Sequence, residues 1–519
     1  MSDDRYDVIV IGAGPNGLTC AAYLTRAGAR VLVLERRFRW GGTLDTDDYS
    51  TPFHYNIAQY LLPLGEQLPP YRDLELERLG VHFRKPDPVA AFVPAAGGQP
   101  LVVRRDGSGL DRLREMLDAA ERVVAPLLYS PPVPVDELER ALDQGDGRPA
   151  LELARHTPGS LSEAVGEPRA AGLVRYLCGL AGFIRDGEPL GLLGALSLAQ
   201  LLRPVVVSGG SKTLANGLFR AAVHFGAEFR SVAEVRRIEE TGAGALRLLC
   251  RDGREFEARA VVSTLDPKTT FLELLDGVPN GVRDAAEAWR LEPAAPFTAH
   301  FGIKGEPGDA SEALVQVVGF DDAAAVAGAF AAAADGRLPA APAGHVTVTT
   351  RHDSSQAAPG PYGPLHTLRY QTVAPYRHPD EPWDRRRADY RAACWELVAE
   401  LLPGLSGARL LFAFADTPAD IERRFRTTRM GSMRQGAITR AQTFAGRPHP
   451  DCSASRTPLH GLYLGGGGVH PGLPGSLGGG YNAARAVCRD LDLEAWWPEP
   501  EIVRRARDDG VLPEPAIAV

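Results

Sequence analysis

The chain has 519 residues, 44% of them hydrophobic and 24% charged, with a formal net charge of −8 at pH 7. That length exceeds one ordinary domain, and the composition is that of a soluble globular protein with a large core. The acidic balance argues against nucleic acid as a partner, and six scattered cysteines without a C-x-x-C pair support neither a zinc site nor a disulfide framework.

Asp3, Asp4 and Arg5 run directly into an apolar stretch. No signal-peptide pattern is present there, so a cytoplasmic location is expected. Residues 6–11 predict a buried parallel strand, residues 18–27 a helix closed by Gly28, and residues 30–34 the next strand, a βαβ unit of about 30 residues. Gly12-Ala13-Gly14-Pro15-Asn16-Gly17 satisfies G-x-G-x-x-G at the first strand–helix junction, where a dinucleotide fingerprint belongs. Gly12 permits the tight turn, Gly14 lets backbone approach a pyrophosphate, and Gly17 lets helix and strand pack closely. The phosphates would meet the positive end of the helix dipole. Glu35 closes the second strand, placed to accept hydrogen bonds from both ribose hydroxyls and to repel a 2′-phosphate.

Residues 73–203 carry a mostly helical pattern, broken at Pro86-Asp87-Pro88 and Pro131-Pro132. The longest apolar stretch, 190–207, is interrupted by Gln200, Arg203 and Pro204. It falls short of the roughly 20 residues a membrane span needs and reads as a buried helix, with peripheral membrane contact as the second reading. A Gly-rich turn at 208–211 and a helix at 214–225 come next, followed by strands at 229–238, 246–250 and 260–263. Strands and helices mix over 266–417, where the Ala-rich segment 323–334 and the Pro/Ala stretch 339–344 have the composition of a surface insertion. Residues 462–464 predict a strand, a dense Gly segment follows, and 481–491 predict a helix. The charged runs 380–387 and 423–429 read as solvated faces.

Beyond Glu35 come Arg36, Arg37 and Arg39, then Gly41-Gly42-Thr43. Near the C-terminus, Arg456 to Leu464 leads into Gly465 to Gly468, Val469-His470-Pro471-Gly472 and Pro474 to Gly480. With these motifs the sequence resembles the FAD-dependent amine oxidase and phytoene desaturase superfamily, in its phytoene-desaturase-like branch that includes retinol saturase relatives. Gly209-Gly210-Ser211, Val235 to Ile238, Val261 to Thr264, Thr417 to Asp420 and Arg447-Pro448 match further positions of that branch.

The resemblance implies an α/β fold: a Rossmann-like FAD-binding domain of the glutathione-reductase/amine-oxidase type, interleaved with an α+β substrate domain. The FAD domain would comprise residues 1–72, 205–265 and 425–495. The substrate domain would comprise a helical segment, 73–204, and a sheet-containing segment, 266–424, with 496–519 as a tail. It further implies FAD contacts from Gly12, Gly14, Pro15, Asn16, Gly17, Glu35 and Arg36, from Gly41, Gly42 and Thr43, and from the backbone of Val235. The closing motif would contribute Gly467, Gly468, Ser476 and Leu477, with a helix N-terminus aimed at the flavin edge that becomes negative on reduction. Thr43 stands where the family usually has Arg, and Gly465 to Gly468 stand where amine oxidases offer an Asp.

One fingerprint is present, whereas a flavoprotein reduced by NADPH normally carries a second. The expected reaction is therefore dehydrogenation of a lipophilic or secondary-metabolite small molecule. A hydride passes to flavin N5 and a proton leaves the neighbouring atom, with oxygen or a quinone-type compound as electron acceptor. His54, Tyr55, His470 and Gln435 are the candidates for substrate chemistry, each weighed against an ordinary structural role. No metal site is expected, and the oligomeric state stays open. The alternatives are an FAD amine oxidase, a saturase drawing on an outside reductant, and a flavin-free isoprenyl- and protein-binding relative of the Rab GDP-dissociation inhibitors. An intact fingerprint with Glu35 weighs against the last.

Overall fold

The strand Arg5–Ile11, buried on both faces from Val8 to Val10, runs through the middle of a largely parallel sheet in this computed structural model. Val8 and Val10 pack under helices, while Ile9 and Ile11 join an apolar cluster with the strands Val235–Glu240 and Leu246–Cys250, so the strand has no solvent face and its sequence does not alternate. In spatial order the sheet holds Val235–Glu240, Leu246–Cys250, Glu255–Ser263, Arg5–Ile11, Val31–Leu34 and Glu228–Arg230. Leu462–Leu464 pairs in parallel with the C-terminal end of Glu255–Ser263. Strands from the beginning, middle and end of the chain thus share one ladder. The structure describes residues 5–47, 51–143, 146–242, 244–308, 311–358, 363–510 and 512. The expectation at Asp3 and Asp4 and most of the tail beyond 510 lie outside them.

The helices Pro15–Arg26, Ser211–His224 and Gly478–Asp490 pack together on this sheet. The first and last of them are pressed close: a Cβ on Gly480 would sit 2.0 Å from the carbonyl oxygen of Asn16. Only glycine permits that approach. Tyr23 and Tyr481 close the same interface edge to face, with ring centroids 5.3 Å apart.

A second sheet runs in the order Arg409–Asp416, Ala295–Lys304, Leu365–Ala374, Gly344–Val348, Val315–Phe320, Ala90–Pro94 and Leu101–Val103. It is antiparallel except where Val315–Phe320 meets Ala90–Pro94. The helical expectation for residues 73–203 is corrected at this point, because residues 90–103 supply two strands. Ala90 to Val93 form a short continuous apolar run, and such a run carries no period that separates strand from helix. From Arg114–Val124 to Gly191–Leu201 the segment is helical. Gly191–Leu201 is buried almost throughout, and among the described residues no helix is long and apolar enough to cross a membrane.

The surface-insertion reading of the Ala-rich segment is also corrected. Ala323–Ala334 is a helix capped by the Asp322 carboxylate, which accepts from the Ala325 N–H. Its Phe330 packs against Tyr176 and Gly179 of the helix Pro168–Leu180. Ala favours the helix, and the few larger side chains at helical spacing bury one face. All six cysteines are buried and free.

Candidate active site

A long cleft opens at Ile11 and Leu34, the last residues of the two central parallel strands. That position is where open α/β sheets bind ligands. Of the residues expected at FAD, the cleft is lined by Gly12, Gly14, Pro15, Asn16, Glu35, Arg36, Gly42, Thr43, Val235 and Gly467. Both glycine-rich ends of the chain therefore face one cavity. Gly17, Gly41, Gly468, Ser476 and Leu477 do not line it. Residues 472–475 reach it instead, one turn before the helix Gly478–Asp490. Ser476 is occupied in holding that turn, with its hydroxyl on the Leu473 carbonyl and its own carbonyl accepting from Tyr129.

Glu35 is held by two backbone donors, the N–H groups of Ala13 at 2.8 Å and Arg37 at 2.7 Å. Burial raises its pKa, and those two hydrogen bonds with the nearby arginines oppose the shift. Gly42 adopts φ +53, and a Cβ there would lie 2.8 Å from the Cα of Gly14, so the two glycine segments leave a groove free of side chains. No side chain caps the helix Pro15–Arg26, which leaves its first N–H groups for an anion. The buried Nη1 of Arg37, also in the lining, has no hydrogen-bond partner. A bare groove, an uncapped helix start, an orphaned guanidinium nitrogen and a fixed carboxylate fit a dinucleotide such as FAD.

The solvated-face reading of residues 423–429 is corrected by the five members that line the cleft, Arg424 to Thr428, two of them arginines. Arg424 pairs with buried Asp416 at 3.2 Å, and Arg429 pairs with fully buried Asp266 at 2.9 Å. The available signal is their position just behind Thr417-Pro418-Ala419-Asp420, which forms a capping box that fixes where this run begins.

Gln435 lines the cleft, yet its amide is committed to structure. It donates to the Thr264 carbonyl at 3.2 Å and accepts from the Gly468 N–H at 2.9 Å, tying the closing glycine segment to the central sheet. The carbonyl of Gly467 is held in turn by the fully buried guanidinium of Arg447. His470, Tyr55 and His54 do not line the cleft. His470 is buried with Nε2 at 3.0 Å from the Leu127 carbonyl and 3.2 Å from that of Ser130; burial depresses its pKa to about 4. Tyr55 belongs to an aromatic cluster with His300 and Phe414. The backbone N–H of His54 donates to the Gln356 carbonyl, beside that cluster.

A second chamber adjoins the cleft, sharing Gln59, Met433, Arg434 and Pro474 with it. Its walls come from the helices (Tyr176, Leu180, Leu201, Phe330) and from the second sheet (Ala295, Pro296, Thr372, Val373), with Tyr60, Leu61 and Ile184 between. The polar groups are few. Arg434 forms an ion pair with Glu292, which also accepts from the Ser432 hydroxyl at 2.6 Å. Arg369 and Gln371 face the chamber from one strand. Sequence reasoning misses these chamber residues, because they come from separate segments and carry no shared motif.

A family model described as "Flavin containing amine oxidoreductase" matches residues 16–492. The chain is similar to a component of the limonene dehydrogenase of Castellaniella defragrans, at 31% identity over 98% of each chain. It is also similar to hydroxyneurosporene desaturase of Cereibacter sphaeroides, at 26% identity over 93% of this chain and 98% of that one. Among solved structures, an oxidoreductase of Methanosarcina mazei has the same fold, with a TM-score of 0.56 at 17% identity over 93% of this chain and all of that one. With the family model spanning most of the sequence and the cleft shaped for a dinucleotide, this chain belongs to the flavin containing amine oxidoreductase family and is an enzyme with FAD as its cofactor.

Proposed function

We propose that the protein dehydrogenates a lipophilic small molecule held in the second chamber, with the electrons passing to oxygen or a quinone-type acceptor. The observation that carries this reading is the chamber itself: a mostly apolar space opening directly onto the cofactor cleft through Gln59, Met433, Arg434 and Pro474. Apolar walls bind by excluding water and leave a few polar groups to set orientation. The named activities of limonene dehydrogenase and hydroxyneurosporene desaturase, both on lipophilic molecules, agree with it.

When bound, FAD supplies a hydride acceptor beside the substrate. In this reading Gly14, Asn16 and the start of the helix Pro15–Arg26 hold the pyrophosphate, Glu35 holds the ribose, and Gly467 with residues 472–475 forms the flavin end of the cleft. Among the described residues lining the chamber, Glu292 is the one carboxylate. It is the group there able to take the proton released as the double bond forms, and Arg434 with Ser432 fixes its position. An amine substrate is disfavoured, because buried Arg369, which lines the chamber, would repel an ammonium there.

The test is anaerobic mixing of the yellow holoenzyme with lipophilic substrates and with amines. Bleaching of the flavin by the former and not the latter is expected; bleaching by amines alone would overturn the reading. Glu292→Gln is expected to slow bleaching by roughly 10²-fold or more, the usual contribution of a positioned proton acceptor, while flavin content stays that of the parent.

A further inference from the structure

Arg369 is buried at 4% exposure, and its guanidinium donates to the carbonyls of Asn56 and Ala58 and to the side chain of Gln371. Every one of these partners is neutral. Among the described residues Arg369 makes no ion pair, in contrast to Arg434 across the chamber, whose charge is matched by Glu292. Arg369 feels the charge of Asp416, but that carboxylate is paired with Arg424, and a buried charge without a counter-ion of its own is costly unless a ligand completes the pair. Burial lowers the Arg369 pKa to about 10, which leaves it cationic at neutral pH.

A second, independent feature lies in the same chamber. The Tyr60 hydroxyl is buried and has no hydrogen-bond partner, although Tyr60 itself is only 4% exposed. Buried hydroxyls nearly always find a partner. Tyr60 feels the charge of Arg369 and that of Asp353, but the Asp353 carboxylate is already taken by the Gly209 N–H, the Gln356 amide and Ser355. The other phenol of the chamber, Tyr176, is satisfied by His345 at 2.9 Å. A cation without an ion-pair partner and a tyrosine with an unpartnered hydroxyl therefore line one chamber, in which the other charged groups, Glu292 and Arg434, pair with each other.

We propose that Arg369 and Tyr60 form a polar pole that binds a carboxylate on the substrate, so that the molecule oxidised is a lipophilic carboxylic acid and not a plain hydrocarbon. The guanidinium supplies the charge and the phenol a further donor, as charge-assisted hydrogen bonds require. Arg369 and Tyr60 are specificity-determining residues, and the carbon skeleton occupies the apolar wall between the pole and the junction at Met433 and Pro474. The proposal rests on the second chamber being the substrate site.

The test uses the FAD-loaded enzyme and follows perturbation of the flavin spectrum during titration. The probes are limonene, perillic acid, which carries a carboxyl in place of the limonene ring methyl, and methyl perillate. Perillate is expected to bind at least tenfold more tightly than either neutral probe. Tyr60→Phe, which removes only the unpartnered oxygen, is expected to cut that preference at least threefold, and Arg369→Gln to abolish it. Flavin content and melting temperature are checked for both variants; should Arg369→Gln fail to fold, Tyr60→Phe decides alone. Limonene binding without a preference for perillate, or a preference indifferent to Tyr60→Phe, overturns the pole and leaves the lipophilic chamber standing. Tighter binding of methyl perillate reassigns the pole to a neutral carbonyl and overturns the carboxylate. Failure of all three probes to bind removes the chamber reading and the pole with it.

Discussion

Glu35 shows what a single side chain does when the backbone prepares it. Its two oxygens are aimed by the N–H groups of Ala13 and Arg37, so the carboxylate is oriented before any ribose arrives. Glu35→Ala is expected to weaken FAD retention by about 1–3 kcal/mol, the worth of hydrogen bonds to a charged group. Dissociation of the flavin on dilution measures this, and unchanged retention would mean that the ribose is held elsewhere. Gly42→Ala places a Cβ against Gly14 at a left-handed φ and is expected to yield colourless protein. Glu35 and the glycines are legible in the sequence because their spacing is local. His54, Tyr55 and His470 are candidates by chain position alone, and the structure seats all three away from the cleft lining.

At the scale of the element, helices here are set by what covers them. Gly191–Leu201 is apolar on nearly every side, Ser197 and Gln200 excepted, because it is buried almost throughout. Leu196→Ala there is expected to cost roughly 2–5 kcal/mol, the range for a buried leucine whose cavity cannot collapse; chemical denaturation of the holoenzyme reads it. A loss under about 1 kcal/mol would mean that the helix repacks. The βαβ start is legible because strand, glycine turn, helix and acid follow in sequence. Ala90–Pro94 is not: beside its local partner Leu101–Val103, it is held in the second sheet by Val315–Phe320, more than two hundred residues away. The helix Ala323–Ala334 is hidden for a related reason: its composition looks exposed until Phe330 meets Tyr176.

For the whole molecule, three buried histidines couple folding to pH. Burial lowers the pKa of His470 to about 4, that of His345 to about 3, and that of His300 well below its ordinary value. In the unfolded chain each titrates near about 6.5. The stability tied to their neutral forms is fully present above about pH 6.5 and is lost as pH falls toward the folded values, on the order of 3 kcal/mol for His470. Glu35, Asp266 and Asp416 are raised by burial, so their protonation partly offsets that loss in acid. The melting temperature is expected to fall between about pH 7 and about pH 5, and to fall less in His470→Gln. An unchanged melting temperature over that window would show that the histidines do not govern acid stability.

The sequence by itself determined the cofactor half: a strand, three spaced glycines, a helix and an acid are fixed by local geometry, and the closing glycine segment repeats that economy at the far end. Which residues surround the substrate was decided only by tertiary structure. Gln59 with Tyr60, Glu292, Arg369 and Arg434 come from four separate segments of the chain, and the second sheet together with the helical segment brings them to one chamber. The physical reason is range. A turn or a helix cap is a contract among neighbours, whereas a buried charge gains or lacks its partner only when distant segments pack.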